Sequence, residues 1–177
     1  SLEAHDNEMA LRLLDKGIAA NPDDWLLPFE AGFLCYDTMG DHARAARYFE
    51  KAMQVPAAPG VIRRLHAEMF NKMGNKRASL TYWREVFDGA ESKDVRDIAW
   101  RHVHDLTIGV DLETLQGAIE TFRQRTGAYP INLESLVKAG LITAIPVDPD
   151  GAVYGYDRRT GRPFSRSRFR LVQRAGP

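Results

Sequence analysis

A single cysteine, Cys35, stands in a chain of 177 residues, so no disulfide can form within it. That leaves oxidising and reducing compartments both open. No apolar run approaches the ~20 residues that a helix needs to span a bilayer. Net charge is missing as well, because 24 basic and 24 acidic residues cancel. The cancellation is uneven along the chain. From Arg158 to Pro177 there are seven arginines and no acid, so the remainder is acidic by the same amount. Such asymmetry raises nucleic acid, membranes and acidic proteins as partners to weigh. Apolar residues make up 44%, enough for a packed core and too many for global disorder. The length suits one domain, or a small domain with an appendage.

Catalytic signatures are also lacking. There is no G-x-S-x-G, no Walker sequence and no dinucleotide glycine pattern. Of the five histidines (His5, His42, His66, His102, His104), two form an H-x-H pair. Their surroundings read as helix, where positions i and i+2 do not face each other. Cys35 lies among apolar neighbours in AGFLCYD, which suits a buried small hydrophobe better than a nucleophile. The expectation is a protein without enzymatic activity and without a cofactor.

What is present is a repeat. GDHARAARYFEKAM (40–53) aligns with GNKRASLTYWREVF (74–87), with Ala45 over Ser79, Phe49 over Trp83 and Ala52 over Val86. Gly40 recurs as Gly74 and then as Gly109. LLDKGIAANP (13–22) echoes YFEKAMQVP (48–56) at an offset of 35. A spacing of 34 or 35 fits two helices of about 13 residues joined by short turns. Each glycine would close one helix with a positive φ, and Asp41 and Asn75 would cap the next. Small residues at 45 and 52 admit a neighbouring helix closely, and the aromatic at 49 fills the space between.

The triplet Ala45, Phe49, Ala52 followed by Pro56, with aromatics at Phe29 and Tyr36, resembles the tetratricopeptide repeat (TPR). The resemblance is good over 24–56 and fair over 58–90. A third unit would place helices at 93–107 and 111–126. Residues 2–20 read as the second helix of a unit, serving as a cap or following an earlier helix. The departures are Val86, where a small residue is expected, and no large residue near Arg63. The resemblance implies a groove lined by first helices that takes a protein or peptide. Its lining falls on Leu27, Glu30, Leu34 and Asp37, then on Arg64, Glu68, Asn71 and Lys72.

From Asp111 the text changes character. A helix carrying Leu112, Leu115, Ile119 and Phe122 stops at Gly127. Tyr129-Pro130 forces extended or turn backbone, and Asn132 caps a short helix that ends at Gly140. VYGYD and RPFSR flank Arg158-Arg159-Thr160-Gly161 as a β-hairpin, with Gly161 left-handed. The order Arg123, Gly127, Tyr129, Pro130, then Leu133, Leu136, Val137, then Ile145, Pro146, Asp148, Pro149, Gly151, Tyr154, Tyr156 is similar to the globular part of type II secretion major pseudopilins. The similarity covers 111–165. Helices stand where that family has its apolar N-terminal helix, and Asp150 replaces its usual Trp, so pilin-like polymerisation is not expected.

The expected fold is therefore mainly α. TPR-like stacked hairpins occupy 1–110, and a small α+β element with a β-hairpin occupies 111–177, continuous with the repeats. The resemblances imply an adaptor, or else a structural or regulatory assembly subunit packing on pseudopilins or on itself, in a bacterial envelope, pilus or secretion machine. The chain opens Ser-Leu-Glu, and we expect a targeting or anchoring segment upstream. An extracytoplasmic or periplasmic location is expected, with a cytoplasmic one still open. Asp148, Asp150 and Asp157 place three hard oxygen donors near one loop, a partial calcium set. An EF-hand counted from Asp148 would need an acid where Arg159 stands, so turn chemistry is the expected role and no metal is expected. Arg158, Arg159, Arg162, Arg166, Arg168 and Arg170 form a basic strip, interleaved with Phe164, Phe169 and Leu171. SRFRLV (167–172) alternates as a strand would. An acidic partner or anionic surface suits the strip better than nucleic acid, for which no accompanying motif exists.

Overall fold

The computed structural model describes residues 2–167, with side chains described from His5 onward. The fold is mainly α with one small antiparallel β-hairpin. Helix α1 spans Leu2–Ala20 and α2 spans Leu26–Phe33, continuing as a π-helical stretch over Leu34–Thr38. Then come α3 (His42–Met53), α4 (Val61–Lys72), α5 (Lys76–Asp88), α6 (Lys93–Thr126) and α7 (Glu134–Lys138). Strands β1 (Gly155–Asp157) and β2 (Arg162–Phe164) close the described chain. Two compact units divide between Ala99 and Trp100. The expected division lay between residues 110 and 111.

In the first unit, α1 packs on α2, α2 on α3, α3 on α4 and α4 on α5. The small–aromatic–small triplets sit at these contacts. Ala45, Phe49 and Ala52 are fully buried, and Ser79, Trp83 and Val86 are buried in the second unit of the repeat. Ser79 resolves its buried hydroxyl by donating to the Ala67 carbonyl at 2.9 Å. Val86 is accommodated at 6% exposure although a smaller residue was expected. Gly32 matters for the same packing: a Cβ there would stand 2.7 Å from the Phe49 ring. The core of this unit gathers Leu11, Ala31, Cys35, Phe49, Ile62 and Met69.

The turns follow the expected chemistry. Gly40 and Gly74 have φ of 63° and 74°. Asp41 accepts from the Arg44 amide at 2.9 Å, and Asn75 accepts from the Ala78 amide at 3.1 Å. Asn75 also donates its own amide to the Phe70 carbonyl at 2.9 Å, so one residue ends α4 and starts α5.

The third hairpin does not form. Residues 93–126 make one continuous helix, and Gly109 has no positive φ. Val110 follows Gly109, where Asp41 and Asn75 follow the turn glycines, and valine has no side-chain oxygen to cap a new helix. Asp111 accepts a hydrogen bond from the Tyr154 hydroxyl at 2.8 Å. Burial of Leu106, Ile108, Val110, Leu115 and Ile119 along α6 outweighs the roughly 1 kcal/mol that an internal glycine costs.

In the second unit, α6 ends where expected, with Gly127 at φ 79°. The cap of α7 is Leu133, one residue later than expected; Asn132 supports that first turn by accepting from the Ser135 amide at 3.1 Å, and Gly140 (φ 67°) ends the helix. Leu115, Ile119, Leu133, Leu136 and Tyr154 form the core. The hairpin pairs Gly155 with Phe164, Tyr156 with Pro163 and Asp157 with Arg162. A single bridge joins Val147 and Val153. The strand expected at 167–172 lies, apart from Ser167, outside the described residues. Among the described residues no helix is long and apolar enough to cross a membrane.

Candidate functional site

Helices α2 and α4 both pack against α3, so the candidate site is built from their outer faces. On α2 the solvent face is a stripe at steps of four, three and four. Leu26 and Phe33 are 45% and 42% exposed, and Glu30 and Asp37 alternate with them, also exposed. Phe33 is held in place by stacking on Phe29 and by an edge contact with Tyr36, each at 6.1 Å between ring centres. The stripe is acidic: between Lys16 and Arg44 the chain has Asp23, Asp24, Glu30, Asp37 and Asp41, and no lysine or arginine.

The expected apolar lining, Leu27 and Leu34, is placed differently. Both are half-buried. Leu27 packs on α1, its Cδ1 lying 3.2 Å from where a Gly17 Cβ would be. Leu34 packs on the core of the first unit. The bare backbone at Gly17 is what draws Leu27 inward, and that glycine was the available signal.

Helix α4 contributes a different character. Lys72 is exposed, and Arg64, Glu68 and Asn71 are half-buried. Burial pushes the Glu68 carboxyl up from the ordinary carboxylate range, against a hydrogen bond from Asn71 and the charge of Lys72. Asn71 Nδ2 donates to Glu68 Oε1 at 3.3 Å. Arg63 and Arg64 line a cleft of about 380 Å³ that also takes in Glu85, Gly89 and Glu91. The walls of that cleft come from residues distant in the chain, and they meet only when the start of α4 folds beside the end of α5.

The aspartates of the Asp-Pro-Asp-Gly loop do not converge. Among the described residues no group of three or more His, Cys, Asp or Glu side chains is placed to hold a metal ion. Asp148 Oδ1 accepts from the amides of Asp150 (3.1 Å) and Ala152 (2.8 Å). Asp157 accepts from the Arg159 amide at 2.9 Å and the Thr160 hydroxyl at 2.7 Å. The Thr160 and Arg159 bonds hold the Asp157 carboxyl below its ordinary value. Asp150 accepts from Ser167 Oγ and meets His104 Nε2 at 2.9 Å. Those two bonds, Ser167 first, lower its pKa. Sequence reasoning missed this link, since His104 and Asp150 are 46 residues apart.

Other residues between 123 and 156 also meet one another. Arg123 donates to the Tyr129 hydroxyl at 2.8 Å and stacks over its ring. Tyr156 donates to the Pro130 carbonyl at 3.1 Å. Arg158, Arg159, Arg162 and Arg166 are exposed around the hairpin, and Arg168 and Arg170 lie outside the described residues. Cys35 is fully buried and burial raises its thiol pKa, which keeps it protonated.

Comparison with protein-family profiles, with curated proteins and with solved structures returns no match.

Proposed function

We propose that this chain is a non-enzymatic interaction module, an adaptor that holds a helix or peptide of a protein partner on the outer face of α2. The observation that supports this is the exposed stripe Leu26–Glu30–Phe33–Asp37. Two apolar side chains seven residues apart, about two helical turns, are anchors of the i, i+7 kind that helix-in-groove docking uses. The alternating acids favour a partner with basic residues flanking its apolar face. The sequence resemblances suggest the setting: a bacterial envelope, pilus or secretion assembly, outside the cytoplasm.

A second reading is supported by the other unit. Val147 and Val153, bridged to each other, are 59% and 62% exposed, and Phe164 is 45% exposed beside the hairpin arginines. That face suits an assembly subunit that packs on pseudopilins or a related surface, with an acidic or anionic neighbour for the arginines.

Capture from an envelope fraction separates the two readings. The bait is the intact chain, alone and as the pairs Leu26→Asp/Phe33→Asp and Val147→Asp/Val153→Asp. The adaptor reading expects saturable capture that the first pair abolishes and the second leaves intact. The reverse pattern favours the assembly reading. Turnover of a hydrolase or transferase substrate by the purified chain would refute both.

A further inference from the structure

The outer face of α1 is a separate, unassigned surface. Met9 and Leu13 are 46% and 64% exposed on it. The internal repeat says what such positions do. At the offset of 35, Met9 and Leu13 correspond to Arg44 and Tyr48 of α3. Those two reach back to α1: Arg44 Nη1 donates to Glu8 at 2.8 Å and Tyr48 to Asp15 at 2.9 Å. The same positions on α1 are therefore where another helix would dock.

The sequence of that face points to the occupant. Asp6, Met9, Leu13, Lys16 and Ala20 are all exposed and follow one another at three, four, three and four residues. This is the spacing of a two-helix seam. It is also self-complementary when read backwards about Leu11. Met9 falls opposite Leu13 of a second copy, and Asp6 falls opposite Lys16. Both pairings occur twice under a twofold axis, as an isologous contact requires. A parallel pairing would instead set Asp6 on Asp6 and Lys16 on Lys16. Arg12 flanks the seam at its middle, and its meeting with its own counterpart at the solvated rim keeps the association weak. A single helix pair also buries less than the about 1,200 Å² of a stable interface.

We propose that the chain forms a weak antiparallel homodimer through α1, with Met9 and Leu13 at its centre and reciprocal Asp6–Lys16 pairs on either side. Sedimentation velocity on the intact chain, across a concentration series into the hundreds of micromolar, tests it. The expected result is a reversible dimer that Leu13→Asp abolishes. Asp6→Lys and Lys16→Asp, each alone, set like charges opposite each other twice and raise the dissociation constant about tenfold. Mixing those two single variants restores wild-type affinity, and so does combining both changes in one chain. These side chains are exposed, so unchanged thermal melts are expected to accompany every variant. A chain monomeric throughout the series would overturn the proposal, as it would if a different segment or protein covers this face. A dimer indifferent to Leu13→Asp, or swapped variants that fail to complement on mixing, would overturn it too.

Discussion

At the scale of single residues, the glycines distinguish packing from turn formation. Gly32 is helical, and its importance lies in the ring beside it. Gly32→Ala should destabilise the chain by about 1–3 kcal/mol, the usual cost of overfilling a packed core. Urea titration checks this, and Phe49→Leu in the same background should return part of the loss, because the two side chains compete for one space. Gly161 is the opposite kind of site. Its φ is 71°, and a Cβ there would overlap the Tyr129 ring. Gly161→Ala should therefore cost at least about 1 kcal/mol from backbone conformation alone. A melting curve followed by tyrosine signals would show it; an unchanged midpoint would mean the turn had found another conformation. Neither effect could be sized from sequence. The left-handed turn at Gly161 is legible from the hairpin sequence, but the Tyr129 ring beside it, and the Phe49 ring that makes glycine necessary at 32, come from residues distant in the chain.

At the scale of elements, capping decided where the repeat ended. Gly40-Asp41 and Gly74-Asn75 each supply a left-handed residue and then a side-chain acceptor, and both end one helix and start another. Gly109-Val110 supplies neither, and α6 runs through it. The missing cap is legible in the sequence, because a regular period without an acceptor after its glycine does not start a new helix. Two predictions belong here. Asn75→Ala removes the acceptor for the Ala78 amide and should cost about 1 kcal/mol, measured by denaturant unfolding. Gly117→Ala should do the reverse. Gly117 is exposed inside α6 with nothing within 4 Å of its added Cβ, so the substitution should raise stability by about 0.5–1 kcal/mol. A loss there would show that α6 does not keep its helical backbone at 117. The candidate groove has the same lesson. The helices that carry it were legible from period and caps, whereas the outward apolar pair, Leu26 and Phe33, lies one position before Leu27 and one before Leu34.

At the scale of the whole molecule, acid should unfold this chain in two stages. His102 is half-buried and its pKa is lowered to about 4, burial outweighing the attraction of Asp105; burial lowers His66 as well. Both histidines take up protons more readily when unfolded. The histidine contribution is thus complete above pH ~6.5 and is lost as the pH drops toward 4, by roughly 3 kcal/mol for His102 alone. Below that, Asp41, Asp150 and Asp157, whose folded pKa values lie under the ordinary 3.8, lose their bonds on protonation. Urea midpoints from pH 7 to 3 check this, and His102→Gln should flatten the upper stage and leave the lower one intact. The sequence by itself determined the local units: helix period, glycine stops, Asx caps and the hairpin turn all depend on neighbours within a few residues. The tertiary structure decided which faces stayed in solvent and which distant groups met, as with Leu27 on Gly17, His104 on Asp150 and Tyr154 on Asp111. Those outcomes depend on how closely backbones approach and how much apolar area each contact buries, and neither quantity is carried by a short stretch of chain.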